Sequence, residues 1–263
     1  MENLINTINK VPRDKKLIIF DLDGTLAESK GDIDEEMAGL LKRLLEKRQV
    51  AVIGGGKYEL FQSQLVEKLE ASEESLKNLF LFPTTSTSFY RYNAGKWECV
   101  YSMKLSPEEK LNVLDAFDKA FSELNYEYPE KIIHPDIIED RGSEITFSAL
   151  GQHAPLALKE EWKKEHTDFK LKLVEILQKY LPEMEVRAAG FTSIDITRKG
   201  IDKEYGIKQI EKYLNVPIGD MLFVGDALFL GGNDSAALRA GVLCFEVRGV
   251  EDTKKLIEYL LTG

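Results

Sequence analysis

The stretch LIIFDLDGTLAES, residues 17–29, places two carboxylates directly behind a run of apolar residues. Asp21 ends that run and Asp23 follows one residue later, before Gly24 and Thr25. An ionised Asp21 has the chemistry to attack phosphorus and form an aspartyl-phosphate, and Asp23 is near enough to protonate the departing alcohol. The alternative is that both aspartates only cap a turn. The pair by itself leaves both interpretations open.

A second apolar run also ends on a carboxylate. In FVGDALFLGGND, Asp226 follows the run, and the pair Asn233 and Asp234 follows a glycine-rich loop. If both runs are neighbouring parallel strands, Asp21 and Asp226 meet at one sheet edge and can share Mg²⁺, which prefers oxygen ligands. The backbone carbonyl of Asp23 would complete the protein ligands. Asp234 or Asn233 is then either a further ligand or part of a simple turn.

Phosphoryl transfer also needs N–H donors and positive charge around the phosphate oxygens. The Gly-Thr turn behind Asp21 offers backbone N–H groups. IGGGKYE offers more, because the bare backbone of Gly54, Gly55 and Gly56 can approach a phosphate closely; a loose loop is the alternative. Lys203 in GIDKEYG opens a predicted helix and would supply the cation, although its spacing alone favours an ordinary surface lysine.

Alternating strands and helices at both ends of the chain position these residues. The runs KLIIFD, VAVIGG and LFLFP predict strands, with helices in DIDEEMAGLLKRLLEKR and KYELFQSQLVEKL between them. The last part predicts helix and strand in turn, in DKEYGIKQIEKYL, DMLFVGD, DSAALRAG, VLCFEV and EDTKKLIEYLL. This alternation implies an α/β fold, with an open Rossmann-like parallel sheet and ligands beyond the carboxyl ends of its strands.

The middle of the chain has a different pattern. TSFYRYNAGKWECVYSM predicts two strands around a turn, and a helix, the strand SEITFSAL, the helix HTDFKLKLVEILQKYL and two short strands follow. The pattern predicts a smaller α+β domain at residues 85–189, inserted between core segments 1–84 and 190–263. The aromatic residues of its first hairpin are expected to pack in a core, with a homodimer through the insertion as the alternative: Phe89, Tyr90, Tyr92, Trp97 and Tyr101.

Composition argues against several classes of partner. The formal charge of −10 over 263 residues disfavours a nucleic-acid or anionic-membrane partner. No signal peptide, membrane-spanning run or targeting motif is evident, so the cytoplasm is the expected compartment. Cys99 and Cys244 lie in apolar, strand-like runs and are too far apart in sequence to suggest a metal cluster. Both cysteines are therefore predicted to be buried.

Taken in order, four motifs resemble those of the haloacid dehalogenase superfamily of phosphotransferases: Asp-Leu-Asp-Gly-Thr, the glycine loop, Asp-Lys before a helix, and Gly-Asp…Gly-Gly-Asn-Asp. The resemblance covers essentially the whole chain. It implies Asp21 as nucleophile, Asp23 as general acid/base, Lys203 as the phosphate-neutralising lysine, Asp226 as a magnesium ligand, and an inserted cap that closes as a lid. Gly55 stands where the family usually has Ser or Thr, which resembles the phosphomannomutase branch.

The insertion also resembles the phosphomannomutase cap. RGSEITFSALGQ matches its pattern at Arg141, Ser148 and Gly151, and SIDITRKGIDK matches at Ser193, Asp195, Gly200, Asp202 and Lys203. The resemblance implies a clamp of arginines for the distal phosphate of a sugar, and a Ser-x-Asp that binds hydroxyl groups. Only one of four arginines remains here, because the clamp positions hold Lys30, Arg141, Gln152 and Lys159.

The lost arginines favour one activity over another. A mutase must hold a bisphosphorylated sugar and bind it again in the flipped orientation, which needs bidentate arginines, whereas lysine binds phosphate only as a point charge. The sequence therefore predicts a Mg²⁺-dependent phosphatase acting on a phosphorylated sugar. A phosphomannomutase that interconverts mannose 1-phosphate and mannose 6-phosphate is the alternative. A non-catalytic sugar-phosphate binding protein is the second alternative, disfavoured because Asp21, Asp23, Lys203 and Asp226 are all present.

Overall fold

The computed structural model describes residues 3–29, 31–126, 134–229 and 232–262. The chain divides into two compact units. Unit 1 comprises Met1–Ser102 and Ile201–Gly263, and unit 2 comprises Met103–Gly200. Unit 1 contains a mainly parallel sheet and unit 2 a separate antiparallel sheet, so the predicted α/β class with a smaller α+β part is confirmed.

The strands, in chain order over the described residues, are β1 (Leu4–Ile5), β2 (Leu17–Asp21), β3 (Gln49–Ile53), β4 (Leu79–Phe82), β5 (Ser88–Asn93), β6 (Lys96–Ser102), β7 (Ile138–Asp140), β8 (Glu144–Ser148), β9 (Met184–Ala189), β10 (Ser193–Arg198), β11 (Met221–Gly225) and β12 (Leu243–Glu246). The principal helices are α1 (Glu35–Leu45), α2 (Tyr58–Phe61, continued by Gln62–Val66 and Glu67–Leu69), α3 (Glu73–Leu76), α4 (Pro107–Glu123), α5 (Leu156–Tyr180), α6 (Lys203–Leu214), α7 (Ser235–Arg239) and α8 (Val250–Leu261).

The described strands of unit 1 form one sheet in the order β1-β12-β11-β2-β3-β4-β5-β6. The central strand β2 runs parallel to both of its neighbours, β11 and β3. All of its residues are buried, as expected for a strand covered on both faces. Because the strands are parallel, the residues at the carboxyl ends of β2 and β11 lie at the same edge of the sheet.

Local signals fix where the helices of unit 1 begin. The carboxylate of Asp34 accepts a hydrogen bond from the N–H of Met37 at 2.8 Å and so caps α1. In the same way the carboxylate of Asp202 accepts from the N–H of Tyr205 at 3.0 Å and caps α6. The first residue of α6 is therefore Lys203, which the cap holds at the start of the helix.

The hairpin of β5 and β6 belongs to unit 1, because β5 pairs antiparallel with β4. Unit 2 thus begins and ends later along the chain than the insertion predicted at residues 85–189. Phe89 is buried and stacks on Phe82, with ring centroids 4.5 Å apart, while the other aromatic residues of the hairpin are half-buried. The prediction that Cys99 is buried was wrong. Cys99 is exposed on β6, which is an edge strand of the sheet among the described strands. Cys244 is buried, as predicted.

Unit 2 has a four-stranded antiparallel sheet among its described residues, in the order β7-β8-β10-β9. Its apolar core joins Ile145, Phe147 and Ile194 of the sheet to Phe117 of α4 and Leu173 of α5. The helix α5 begins at Leu156, ten residues before the predicted HTDFKLKL segment, and His166 has a non-helical backbone conformation within it (φ −124°, ψ 18°). Among the described residues, no helix is long and apolar enough to cross a membrane.

Candidate active site

Three carboxylates of unit 1 gather at the carboxyl edge of its sheet. Asp21 is the last residue of β2, Asp226 follows directly after β11, and Asp234 precedes α7. Each offers one oxygen atom, and these three atoms all lie within 4.8 Å of one another. Asp21 and Asp234 are buried and Asp226 is half-buried. Two strand ends that are 205 positions apart in the sequence are thereby joined in one acidic cluster.

A buried lysine connects two members of this cluster. The ammonium Nζ of Lys203 donates to Oδ1 of Asp21 at 2.5 Å and also to Oδ1 of Asp234. The residue is only 4% exposed, so the surface position favoured by its spacing was wrong. The cap on α6 fixes Lys203 in the first turn of this helix, and from there its ammonium reaches Asp21 at the end of β2. Asp234 is held in turn, because its Oδ2 accepts from the N–H of Ala227 at 3.0 Å.

The charges of the cluster are only partly compensated. Burial raises the pKa of Asp21 to about 7; the charge of Lys203 opposes this shift, and the charges of Asp234 and Asp226 add to it. Burial, followed by the charge of Asp234, also raises the pKa of Asp226. Burial alone would lower the pKa of Lys203, but Asp21 and Asp234 outweigh it and hold that pKa above its usual range. Lys203 therefore stays protonated.

This donor set fits a divalent cation. It offers carboxylate oxygens only, which are the ligands that Mg²⁺ prefers. Three carboxylates lie beside one ammonium group, so a further positive charge would be attracted there. Asp226, but neither Asp21 nor Asp234, also lines a cavity of about 870 Å³ in unit 1.

The turn after Asp21 is closed by its own backbone. Gly24 has a φ of +80°, and a Cβ atom there would lie 2.9 Å from Cγ of Asp226, so both its conformation and its close approach require glycine. Its N–H donates to the carbonyl of Ala27 at 2.7 Å, and the N–H of Thr25 donates to that of Leu22 at 3.4 Å. These bonds hold the turn against Asp226. The roles of Gly24 and Thr25 as phosphate donors stay predictions.

A strained turn after β4 holds the glycine loop that follows β3. Thr84, Thr85 and Ser86 all have left-handed backbone conformations, with φ of 47°, 54° and 66°, which cost roughly 1–2 kcal/mol for each L-residue. The N–H of Thr85 donates to the carbonyl of Gly54, and that of Thr84 to the carbonyl of Gly56, both at 2.9 Å. We infer that this turn positions the loop, a role that sequence reasoning missed because neither threonine nor serine signals such a conformation.

Gly225, at the end of β11, leaves no room for a side chain. A Cβ atom there would lie 2.7 Å from Cγ of Asp234 and 2.9 Å from Cε1 of Phe223. We therefore expect Gly225→Ala to displace Asp234 from Lys203 and to lower kcat/KM at least about tenfold for the phosphoryl transfer that the sequence predicts, with a stability cost of about 1–3 kcal/mol for overpacking. Steady-state kinetics and urea unfolding test this. Gly219→Ala is the control, because a Cβ atom there meets nothing within 4 Å; equal kinetics for both variants would contradict the prediction.

The other site residues predicted in the core segments are less closely connected to the acidic cluster. Asp23 is exposed, and its charge contributes to the raised pKa of Asp226, but its carboxylate is not one of the three in the cluster. Asn233 is exposed, so Asp234 is the member of that pair that joins the cluster. A Cβ atom on Gly55 would meet nothing within 4 Å, which leaves its surroundings open. Lys30 lies outside the described residues.

Most of the predicted substrate residues of unit 2 make internal contacts, but the buried Nε2 of Gln152 has no hydrogen-bond partner among the described residues. Ser148 is buried and shares a hydrogen bond of 3.0 Å with Thr192. Lys159 is also buried, and its Nζ donates to the carbonyl of Gln152 at 2.6 Å. Ser193 lies directly opposite Ser148 across β8 and β10. The contact between Lys159 and Gln152 joins two of the predicted clamp positions, but through a backbone oxygen.

Arg141 and Asp195 lie in one polar network with residues that the sequence did not single out. Nε of Arg141 donates to Glu139 at 2.8 Å, and Nη1 donates to Glu144 at 2.9 Å. The hydroxyl of Thr146 is within hydrogen-bond distance of Glu144, at 3.0 Å, and of Asp195, at 2.9 Å. The available signal for this network was the alternation of polar and apolar residues in SEITFSAL. This alternation places Glu144 and Thr146 on the face of the strand opposite to Ile145 and Phe147.

Comparisons with known proteins agree on one family. Residues 18–240 match the family described as haloacid dehalogenase-like hydrolase. A phosphomannomutase of Encephalitozoon cuniculi is 30% identical over 236 residues, which cover 84% of each chain, and one of Saccharomyces cerevisiae is 27% identical over 93% of each. A solved haloacid dehalogenase-like hydrolase of Bacteroides thetaiotaomicron superposes with a TM-score of 0.60 at 16% identity and covers 92% of each chain. That structural likeness concerns the fold alone.

Proposed function

We propose, from the premise that this chain belongs to the haloacid dehalogenase-like hydrolase family, that it is a Mg²⁺-dependent phosphatase of a phosphorylated sugar that works through an aspartyl-phosphate on Asp21. One observation carries the proposal: the buried ammonium of Lys203 contacts both Asp21 and Asp234 beside Asp226. A protonated lysine next to a carboxylate at a sheet edge is suited to hold a phosphate against a nucleophile.

Each residue has a distinct part in the proposed reaction. An oxygen of Asp21 attacks phosphorus, the bond from phosphorus to the ester oxygen breaks, and Asp23 gives its proton to the departing alcohol. Water then attacks the aspartyl-phosphate, Asp23 takes a proton from that water, and inorganic phosphate leaves. Lys203 offsets the negative charge of the phosphate throughout. Mg²⁺, held by Asp21, Asp226 and Asp234 with the backbone carbonyl of Asp23, would neutralise phosphate oxygens when bound.

The state of Arg141 favours a phosphatase over a mutase. A mutase has to hold a second phosphate group, for which a bidentate arginine is the suitable partner. The guanidinium of Arg141 is already engaged by Glu139 and Glu144. Gln152 has an amide at another clamp position, and the ammonium of Lys159 is bonded to a backbone carbonyl. None of these described groups offers the strong clamp that a bisphosphate needs.

Phosphomannomutase is the second candidate, because the relatives from E. cuniculi and S. cerevisiae carry that name and match most of this chain. It shares the first half of the proposed reaction, up to the aspartyl-phosphate. The two candidates differ in the acceptor, which is water for the phosphatase and the other end of a sugar phosphate for the mutase. The fate of the phosphate therefore distinguishes them.

Phosphorus NMR of the purified protein with Mg²⁺ and mannose 1-phosphate tests the proposal, with and without a trace of glucose 1,6-bisphosphate. We expect growth of inorganic phosphate only, dependent on Mg²⁺ and indifferent to the bisphosphate. Appearance of mannose 6-phosphate would instead establish a mutase and show that lysines suffice for the clamp. Binding of mannose 1-phosphate without any turnover would leave the non-catalytic binding protein.

A further inference from the structure

The sheet of unit 2 carries a face of polar side chains, which we call the polar face. Cross-strand pairing of β8 with β10 places Glu144 opposite Thr197, Thr146 opposite Asp195 and Ser148 opposite Ser193. The neighbouring strands add two more charged residues, since Glu139 lies opposite Thr146 and Arg187 opposite Asp195. Paired residues of an antiparallel sheet project to the same side, so all of these side chains share one face.

Three of the cationic groups near this face, those of Arg141, Lys159 and Lys170, are already engaged in hydrogen bonds. A guanidinium has two pairs of N–H groups that can grip a phosphate, and in Arg141 each pair has one member engaged, through Nε with Glu139 and Nη1 with Glu144. The buried ammonium of Lys170 donates to the carbonyl of Gly190 at 3.0 Å, and that of Lys159 donates to the carbonyl of Gln152. A phosphate would have to break a carboxylate contact in order to bind Arg141 through a pair of N–H groups.

The carboxylates outnumber the guanidinium groups. Glu139, Glu144 and Asp195 stand against Arg141 and Arg187, so the opposite charges of the face largely cancel. Burial, followed by the charge of Asp195, raises the pKa of Glu144 to about 7, so this carboxyl group both donates and accepts hydrogen bonds near neutral pH. Such a nearly neutral set of donors and acceptors suits hydroxyl groups.

An independent observation indicates that the polar face has capacity for a ligand. Thr197, directly opposite Glu144, is 3% exposed, and its hydroxyl has no hydrogen-bond partner among the described residues. A buried hydroxyl without a partner costs free energy unless another group satisfies it. It therefore marks a position beside Glu144 where a ligand hydroxyl would be stabilised.

We infer that the polar face recognises the uncharged hydroxyl groups of a sugar monophosphate and discriminates against a second phosphate, with Glu144 as the residue that determines this specificity. The inference rests on the proposed function, because it concerns the part of the substrate that is not hydrolysed. Glu144 acts by occupying Nη1 of Arg141, so that with Nε held by Glu139 the guanidinium has no free pair of N–H groups for a second phosphate.

Glucose 1-phosphate and glucose 1,6-bisphosphate test the inference, because they differ only in the second phosphate. We expect the natural protein to have a kcat/KM at least about tenfold higher for the monophosphate. Glu144→Gln removes one charge and loosens Arg141, so it should reduce this preference at least about tenfold. Glu175→Gln is the matched control, because it makes the same change at an exposed position on α5 and should leave the preference unchanged.

A binding measurement and a second variant distinguish failure of the inference from failure of the proposed function and from unfolding. If neither sugar is hydrolysed, the proposed function fails. The inference is then tested by calorimetry, which measures the dissociation constants of both sugars for the natural protein and for Glu144→Gln. The ratio of the two dissociation constants replaces the ratio of the two kcat/KM values. If circular dichroism shows that Glu144→Gln is unfolded, Glu139→Gln replaces it, since it frees the other side of Arg141. Equal preferences in Glu144→Gln and the control, or no preference in the natural protein, would overturn the inference.

Discussion

Asp21→Asn is expected to reduce phosphate release below about 1% of the natural rate, the largest effect of any single substitution in this protein. The carboxylate oxygen is the proposed nucleophile, and an amide in its place cannot form the mixed anhydride with phosphorus. Asp21 stands at the end of β2 with its Oδ1 against Lys203, and the same atom position is filled by the amide oxygen of asparagine. Chemistry should therefore be lost while the fold is kept.

Three measurements separate this effect from unfolding. Initial rates of phosphate release give the loss, circular dichroism gives the fold, and mass spectrometry of acid-quenched protein detects the covalent phosphate. Asp14→Asn makes the same change at an exposed position in the same unit and should retain full activity. Residual activity of Asp21→Asn above about 1%, or a trapped phosphoryl group on the variant, would rule out Asp21 as the nucleophile.

Lys203→Met should lower both activity and stability. Methionine retains much of the buried volume of lysine but removes the positive charge between Asp21 and Asp234. Removing one partner of a buried ion pair costs about 3–5 kcal/mol, because the remaining charge stays buried and unpaired. The phosphate would also lose its neutralising cation, and we expect kcat to fall at least about a hundredfold.

Urea unfolding measures the loss of stability, and steady-state phosphate release measures the loss of kcat. Lys208→Met on the same helix is the control, since its ammonium pairs with Glu204 at 2.6 Å but is 57% exposed. Surface pairs of this kind contribute about 0–1 kcal/mol, so the control should change little. If Lys203→Met were as stable as the control and kept more than a fifth of the natural kcat, Lys203 would have neither role.

The two predictions concern Asp21 and Lys203, whose positions in the site could be predicted from the sequence to different extents. Asp21 and Asp226 each end an apolar run, and a buried parallel strand has to present its last residue at the sheet edge. The meeting of Asp21 and Asp226 therefore follows from the sequence pattern, whereas the part of Asp234 was left open. The placement of Lys203 in this cluster does not, because spacing alone favoured the surface, and only the packing of α6 against the sheet buries it.

The hairpin of β5 and β6 shows a second limit of sequence patterns. Its turn is evident from Asn-Ala-Gly, and Ala94 and Gly95 adopt the positive φ that a tight turn needs, at 48° and 81°. The alternation within a hairpin is the same whichever sheet it joins. Its pairing with β4, which places it in unit 1, is a long-range contact that the local pattern does not contain.

The sequence by itself determined the parallel sheet and the carboxylates at the strand ends, because apolar periodicity acts over a few neighbouring positions. Only the tertiary structure decided which residues from distant parts of the sequence contact one another. Glu144 and Thr146 share a network with Asp195, which is about fifty positions away, and Glu144 engages the one arginine left at the predicted clamp. Strand register brings these charges together, and register depends on the packing of a whole face rather than on any short segment.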